Sequence, residues 1–287
     1  EYKELLDEIE RCNTVQERLK GNVRNFLIRQ GIHHVREIDY RTRELYESEL
    51  RRTKTFSKSL EYLKTLDRIK QFDIRKEMET LSGRNKEQLK YEGQVIFLPY
   101  IPDQDIGSDF DYIQDKSELV WDFSQKASEN LKRQIFQILC YALRNIKDSK
   151  DRRVRYLLPL RWMYEFCIEE GIDDIERLEL EQIKKLETIV ARKVANVKNS
   201  MQIVDNSRKI LFMSGKEIHW YANVWYMERF NFAPERVNPS NPVQRLSFYE
   251  VTNERNRELL QEYMKYQVGI GDLAPVSYTH LTLPTIA

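Results

Sequence analysis

Cysteine is scarce in this 287-residue chain and has no pattern where it occurs. Cys12, Cys140 and Cys167 form no Cys-x-x-Cys pair and are odd in number, which argues against a disulfide framework and for a reducing compartment. Glycine and proline are few, nine and eight, so the chain is neither fibrous nor low in complexity. No apolar run approaches the roughly 20 residues that span a bilayer, and no secretory apolar segment opens the sequence. Charge of one sign is also missing. The 47 Lys and Arg against 46 Asp and Glu leave a formal +1, which permits a basic face only if the acids segregate elsewhere. No GxGxxG, GxxxxGK[ST] or GxSxG is present, which removes the commonest nucleotide and hydrolase signatures and implies no cofactor. His33, His34 and His219 lack partners at metal-ligand spacing, so no metal is implied either.

What remains is rich in Leu, Ile, Glu, Lys and Arg, the residues that lose least on entering a helix. The expected class is all-α, with little or no strand. An internal repeat organises it. Residues 26–39 and 166–179 pair at an offset of 140: Phe26/Phe166, Ile28/Ile168, Gly31/Gly171, Ile32/Ile172, Val35/Ile175, Ile38/Leu178 and Asp39/Glu179. Leu60/Met201, Leu63/Val204, Ile69/Ile210 and Phe72/Met213 pair at 141, which needs one inserted residue. Each copy reads as a helix ending at a glycine, an Ile folding back over it, a short buried link, and an acid that caps the next helix. Asp39 suits that cap better than Glu179.

These features predict a first bundle over residues 1–83, a linker over 84–120, and a second bundle over 121–214. The linker contains a short strand in Gln94 to Tyr100. Before the second glycine, Leu131, Ile135, Ile138, Leu139, Ala142 and Ile146 form one helical stripe, and Val154 to Ile168 reads as a central buried helix with Pro159 kinking it or in its first turn. An aromatic-rich connector follows over 215–252, with His219 to Phe232 expected helical and Val243 to Val251 extended. Residues 253–275 look like the first helix of a third bundle. The natural start is expected upstream of Glu1. Val276 to Thr285 resembles a translated sequencing-library adapter, so 276–287 is expected to be foreign, and the gene product to continue past about Pro275.

The chemistry-bearing candidates are basic. Arg52/Arg192 and Lys58/Lys198 pair at 140, and Arg68 pairs with Arg208, or with Lys209 if the insertion is already passed. Arg152, Arg153 and Arg155 add a cluster before the buried helix. Such side chains would neutralise phosphates, with Arg suited to bidentate contacts. A solvated helix face balanced by neighbouring acids competes with that reading at every position. The Trp220-Tyr221 and Trp225-Tyr226 cluster fits core or interdomain packing better than base stacking.

The helix–Gly–Ile–x–x–apolar–x–x–apolar–Asp/Glu–helix pattern resembles the SAM-like core-binding domain of tyrosine recombinases (phage-integrase type). Leu157-Leu158-Pro159-Leu160-Arg161-Trp162-Met163-Tyr164-Glu165-Phe166-Cys167 is similar to the helix preceding that domain's turn. Arg236 to Ser240, and on through Asn256-Arg257 to Tyr266, resembles the approach to the last core-binding domain of large transposon-encoded members. The resemblance implies tandem core-binding bundles of a bacterial cytoplasmic protein, associated with the nucleoid when bound to double-stranded DNA and with other recombinase protomers there. It implies that Arg52, Lys58, Arg68, Arg152, Arg153, Arg192, Lys198 and Arg208 contact DNA. In the family a Tyr attacks the phosphodiester while Arg and His stabilise charge. The one His-x-x-Arg here, His33 to Arg36, falls in a turn and lacks the companions that follow it in the family, so no catalytic residue carries over and this piece is expected to be inactive. A helical scaffold that binds proteins and never touches DNA is the competing function.

Overall fold

The computed structural model describes residues 2–80, 94–113, 115–237 and 242–270. The chain divides into two compact units, Glu1–Gln125 and Lys126–Ala287. Among the described residues both are mostly helical, and each carries one two-stranded antiparallel ribbon.

The first unit starts with α1 (Lys3–Arg11), α2 (Glu17–Arg29), α3 (Tyr40–Thr53) and α4 (Phe56–Thr80). Leu5, Ile9, Val23, Phe26, Leu27, Leu63, Leu66 and Ile69 meet in its core. The chain reverses at Gly31, whose φ of +71° only glycine adopts freely. The Gly31 amide donates to the Ile28 carbonyl at 3.1 Å and the Ile32 amide to Leu27 at 3.0 Å, the two bonds of a Schellman motif. Val35 and Ile38 are then buried, and Asp39 caps α3 by accepting from the Thr42 amide at 2.8 Å. The unit continues through β1 (Val95–Phe97), α5 (Gln104–Ser108) and β2 (Val120–Asp122).

The second unit repeats the plan. After α6 (Glu129–Asn145), the short α7 (Ser149–Asp151) runs through a π-helical turn, Arg152–Leu157, into α8 (Leu158–Glu169). Pro159 lies in the first turn of α8, and the apolar stripe of α6 from Leu131 to Ala142 is buried. Gly171 has φ +66°, with Gly171 donating to Ile168 at 3.3 Å and Ile172 to Cys167 at 2.8 Å. Then come α9 (Leu180–Ala191) and α10 (Val197–Ser214). Glu179 precedes α9 and its amide donates to Gln182 Oε1 at 2.9 Å. The unit closes with β3 (Val224–Tyr226), β4 (Arg245–Ser247) and α11 (Glu254–Ile270).

The repeat extends beyond the helices. In β1–β2 Ile96 faces Trp121, and in β3–β4 Trp225 faces Leu246. Phe123 donates its amide to Gln94 at 3.0 Å and Phe248 to Asn223 at 2.7 Å, the same bond at the same end of each ribbon. A capped helix of 17 residues follows both times: Ser128 opens α6 and Asn253 opens α11.

Three expectations are corrected. In the stretch expected as a linker, the described residues 94–113 and 115–120 are part of the first unit, because Phe97, Leu98, Ile101, Phe110, Ile113 and Leu119 are buried there; residues 84–93 lie outside the described residues. The strand expected within Gln94 to Tyr100 is β1, and it pairs with β2 from the same unit. The aromatic stretch from His219 to Phe232 forms β3 and short turns rather than a helix, with Trp225 at the centre of a second core. Helix α11 packs its Met264 and Val268 into that same core, so among the described residues it belongs to the second unit. Positions 276–287 lie outside the described residues.

Candidate functional site

The eight basic candidates divide by burial. Arg52 and Lys58 flank the corner between α3 and α4, and Arg68 lies further along α4; all three are exposed. Arg192 and Lys198 flank the corresponding corner between α9 and α10 and are also exposed. None of these five forms an ion pair among the described residues.

Arg152 and Arg208 do not belong with them. Arg152 is buried, with its Nε donating to the Ile146 carbonyl at 2.8 Å. Arg208 is 2% exposed, donates to the Leu178 carbonyl at 2.6 Å, and lies 4.9 Å from the centroid of the Tyr249 ring. A guanidinium turned inward onto a carbonyl and an aromatic face is not available to a phosphate. Arg153 is half-buried, and the exposed Arg155 pairs with Asp151 at 3.4 Å.

The register of the repeat explains the Arg208 error. The Ser59 amide donates to Thr55 and the Ser200 amide to Asn196, and both serines are buried, so the inserted residue precedes α10. From there the offset is 141. Arg68 then corresponds to the exposed Lys209, which pairs with Glu228 at 2.9 Å, and the buried Asp67 corresponds to Arg208. Lys58 and Lys198 are one position out of register, yet both corners remain basic. Only Arg52/Arg192 survives as a strict pair.

Each corner is built firmly. Ser59 Oγ donates to the carbonyls of Leu50 at 3.2 Å and Thr55 at 3.0 Å, tying the end of α3 to the start of α4. The Lys54 amide donates to Leu50 at 2.8 Å, and its ammonium lies over Tyr62. Phe56 is left 72% exposed beside these cations. At the other corner the Lys193 amide donates to Val190 at 2.9 Å and its ammonium lies over Trp162.

Beneath each glycine turn lies a polar junction that the sequence did not reveal. In the first unit Arg43 is buried and meets Asp67 through two bonds of 2.8 and 3.2 Å, while Tyr100 Oη donates to Asp67 at 2.7 Å. Burial pushes the Arg43 pKa down, but Asp67, Tyr100 and Glu47 outweigh it and leave the guanidinium firmly charged. Lys70 Nζ donates to the carbonyls of Val35 and Arg36 at 3.2 and 2.6 Å.

The second unit uses different groups. The Asn223 amide donates to the Glu176 carbonyl at 2.8 Å, and its side-chain nitrogen donates to Arg177 at 2.8 Å and Leu178 at 3.1 Å. Glu176, at 1% exposure, has its Oε2 2.6 Å from His219 Nδ1, and its Oε1 is buried without a partner. Burial, then the Asp174 charge, raise the Glu176 pKa to about 8 against the pull of Arg208. Tyr221 stacks on His219 with ring centroids 5.4 Å apart.

The His33 to Arg36 motif stays in its turn. His33 stacks on Tyr2, and His34 lies 3.4 Å from Glu8 and 3.3 Å from Glu4. Among the described residues no group of three or more His, Cys, Asp or Glu side chains could hold a metal, and no helix is long and apolar enough to cross a membrane. No family model, curated protein or solved structure matches this chain.

Proposed function

We propose that this chain is the DNA-binding front part of a tyrosine-type recombinase, with two units of the SAM-like core-binding kind holding double-stranded DNA for a catalytic domain encoded elsewhere in the protein. The observation that carries the reading is the pair of firm, exposed, basic corners after α3 and α9, at matching places in two copies of one fold. Arg52, Lys58 and Arg68 serve the first unit, and Arg192 and Lys198 the second. Arg153 stays at the margin, and Arg152 and Arg208 drop out.

Cations of this kind fix a protein on the phosphate backbone and release counterions; they do not read base sequence. The resemblance carries no catalytic residue onto this sequence, so this reading gives the chain DNA binding and not strand cleavage. The test is a salt titration of the full chain on one duplex. Binding that weakens steeply with salt supports the reading. No measurable binding at low salt overturns it and leaves a helical protein scaffold as the better account.

A further inference from the structure

We infer that Glu176 and His219 form a titratable latch, in which one proton bridging Oε2 and Nδ1 holds the 215–223 loop, and through it the β3–β4 ribbon, against the turn after Gly171. The geometry carries it. The two side chains approach to 2.6 Å across 43 residues of sequence, with the carboxyl sealed from water and the imidazole partly open to it. Asn223, four residues beyond His219, clamps the carbonyls of Glu176, Arg177 and Leu178. Opening the loop therefore breaks the latch and the clamp together.

The repeat shows that this junction does not require an acid. In the first unit the position matching Glu176 is Arg36, which is exposed, and Lys70 satisfies the turn carbonyls there. The second unit instead buries a carboxyl with one oxygen unpartnered. Such a group is tolerable while it keeps a proton and costly once it is charged. The surrounding charges do not cancel that cost. Asp174 on the turn opposes ionisation, and Arg208 on α10 only partly favours it. Arg177 on the turn and Arg133 on α6 act on Tyr221, whose hydroxyl is pushed up to about 12 by burial and then by Asp174 and Glu176. Tyr226 on β3, Asp205 on α10, Tyr249 and the opposing Arg245 on β4 surround Arg208, and the loop itself contributes Lys216 and Glu217.

Opening exposes both groups to water, where the carboxyl ionises but a free imidazole still takes up the proton below about 6.5, so opening releases the bridging proton only above about that pH. The closed latch is favoured at lower pH and weakens as pH rises toward about 8, where the buried carboxyl itself ionises.

The experiment is amide hydrogen exchange of Asn223 in the full chain between pH 5 and 9, corrected for the intrinsic rate. Protection should be nearly level from pH 5 to about 6.5, fall by up to about tenfold per pH unit between about 6.5 and 8, and level off above it. Glu176→Gln should give a flat profile, while His219→Gln should lower protection below about pH 8 without changing the amides of α8. A wild-type profile that is flat from pH 5 to 8 overturns the latch whatever the variants do. So does a Glu176→Gln profile with the wild-type slope.

Discussion

Gly31 and Gly171 hold the same left-handed backbone conformation, φ +71° and +66°, at the same step of two copies of one fold. An added Cβ would meet nothing within 4 Å at either position, so the requirement is conformational and not a matter of space. Replacing Gly171 by Val should destabilise the second unit by about 1–2 kcal/mol, because a β-branched residue is strained at positive φ. Gly171→Asn should lose less, since Asn tolerates that region. Urea melts of the three proteins check the order, and a Val variant as stable as the parent would refute it.

The buried pair of Arg43 and Asp67 makes a sharper demand. Removing Asp67 leaves a buried guanidinium with only Glu47, at 3.2 Å, as an acidic partner among the described residues. Asp67→Ala should destabilise the first unit by about 3–5 kcal/mol, while an Arg43→Met, Asp67→Leu double variant should lose much less. Tyr100→Phe removes one bond to Asp67 and should cost about 1 kcal/mol. Equal losses in the single Asp67 and double variants would show that the pair is not what holds Tyr100 and α4 together.

Several of these features were legible in the sequence and others were not, for identifiable reasons. Gly31, Gly171 and the α6 stripe announce themselves locally, through backbone chemistry and period. The ribbons do not, because strands of three residues carry no period and β2 lies more than twenty positions beyond β1. Trp220, Tyr221, Trp225 and Tyr226 misled because their spacing suits a helix face as well as a strand with turns. Arg208 looked like a surface cation because its acceptor, the Leu178 carbonyl, is thirty residues away in sequence. Glu176 gave no local sign of burial at all.

Stability of the second unit should depend on pH through Glu176. Its folded pKa, about 8, lies above the ordinary carboxyl value of 4.5, so the protonated form is the one the fold favours. This contribution is fully present below about 4.5 and is lost as pH rises through about 8, with a slope of at most about 1.4 kcal/mol per unit between them. Chemical melts at pH 5, 6.5 and 8 on the parent and on Glu176→Gln check it. The difference between the two should shift in favour of the variant as pH rises, and a difference independent of pH would sink the assignment.

The basic corners predict a separation between binding and stability. Replacing Arg192 and Lys198 by Ala removes two exposed cations that pair with no acid among the described residues, so the fold should be unaffected to within about 0.5 kcal/mol. On duplex DNA the same variant should lose about 2 units of salt slope, near 0.9 for each phosphate contact, and should weaken on matched and random sequences alike. Arg208→Ala should do the reverse. It strips a donor from the Leu178 carbonyl beneath the second turn and leaves a cavity beside Tyr249, so it should lower stability by at least about 1 kcal/mol. Under conditions where it remains folded, its salt slope should match the parent. Thermal or urea melts and salt titrations on one duplex, run on all three proteins, give both readouts. A slope that falls for Arg208→Ala but holds for the corner variant would place the phosphate contacts somewhere other than the corners.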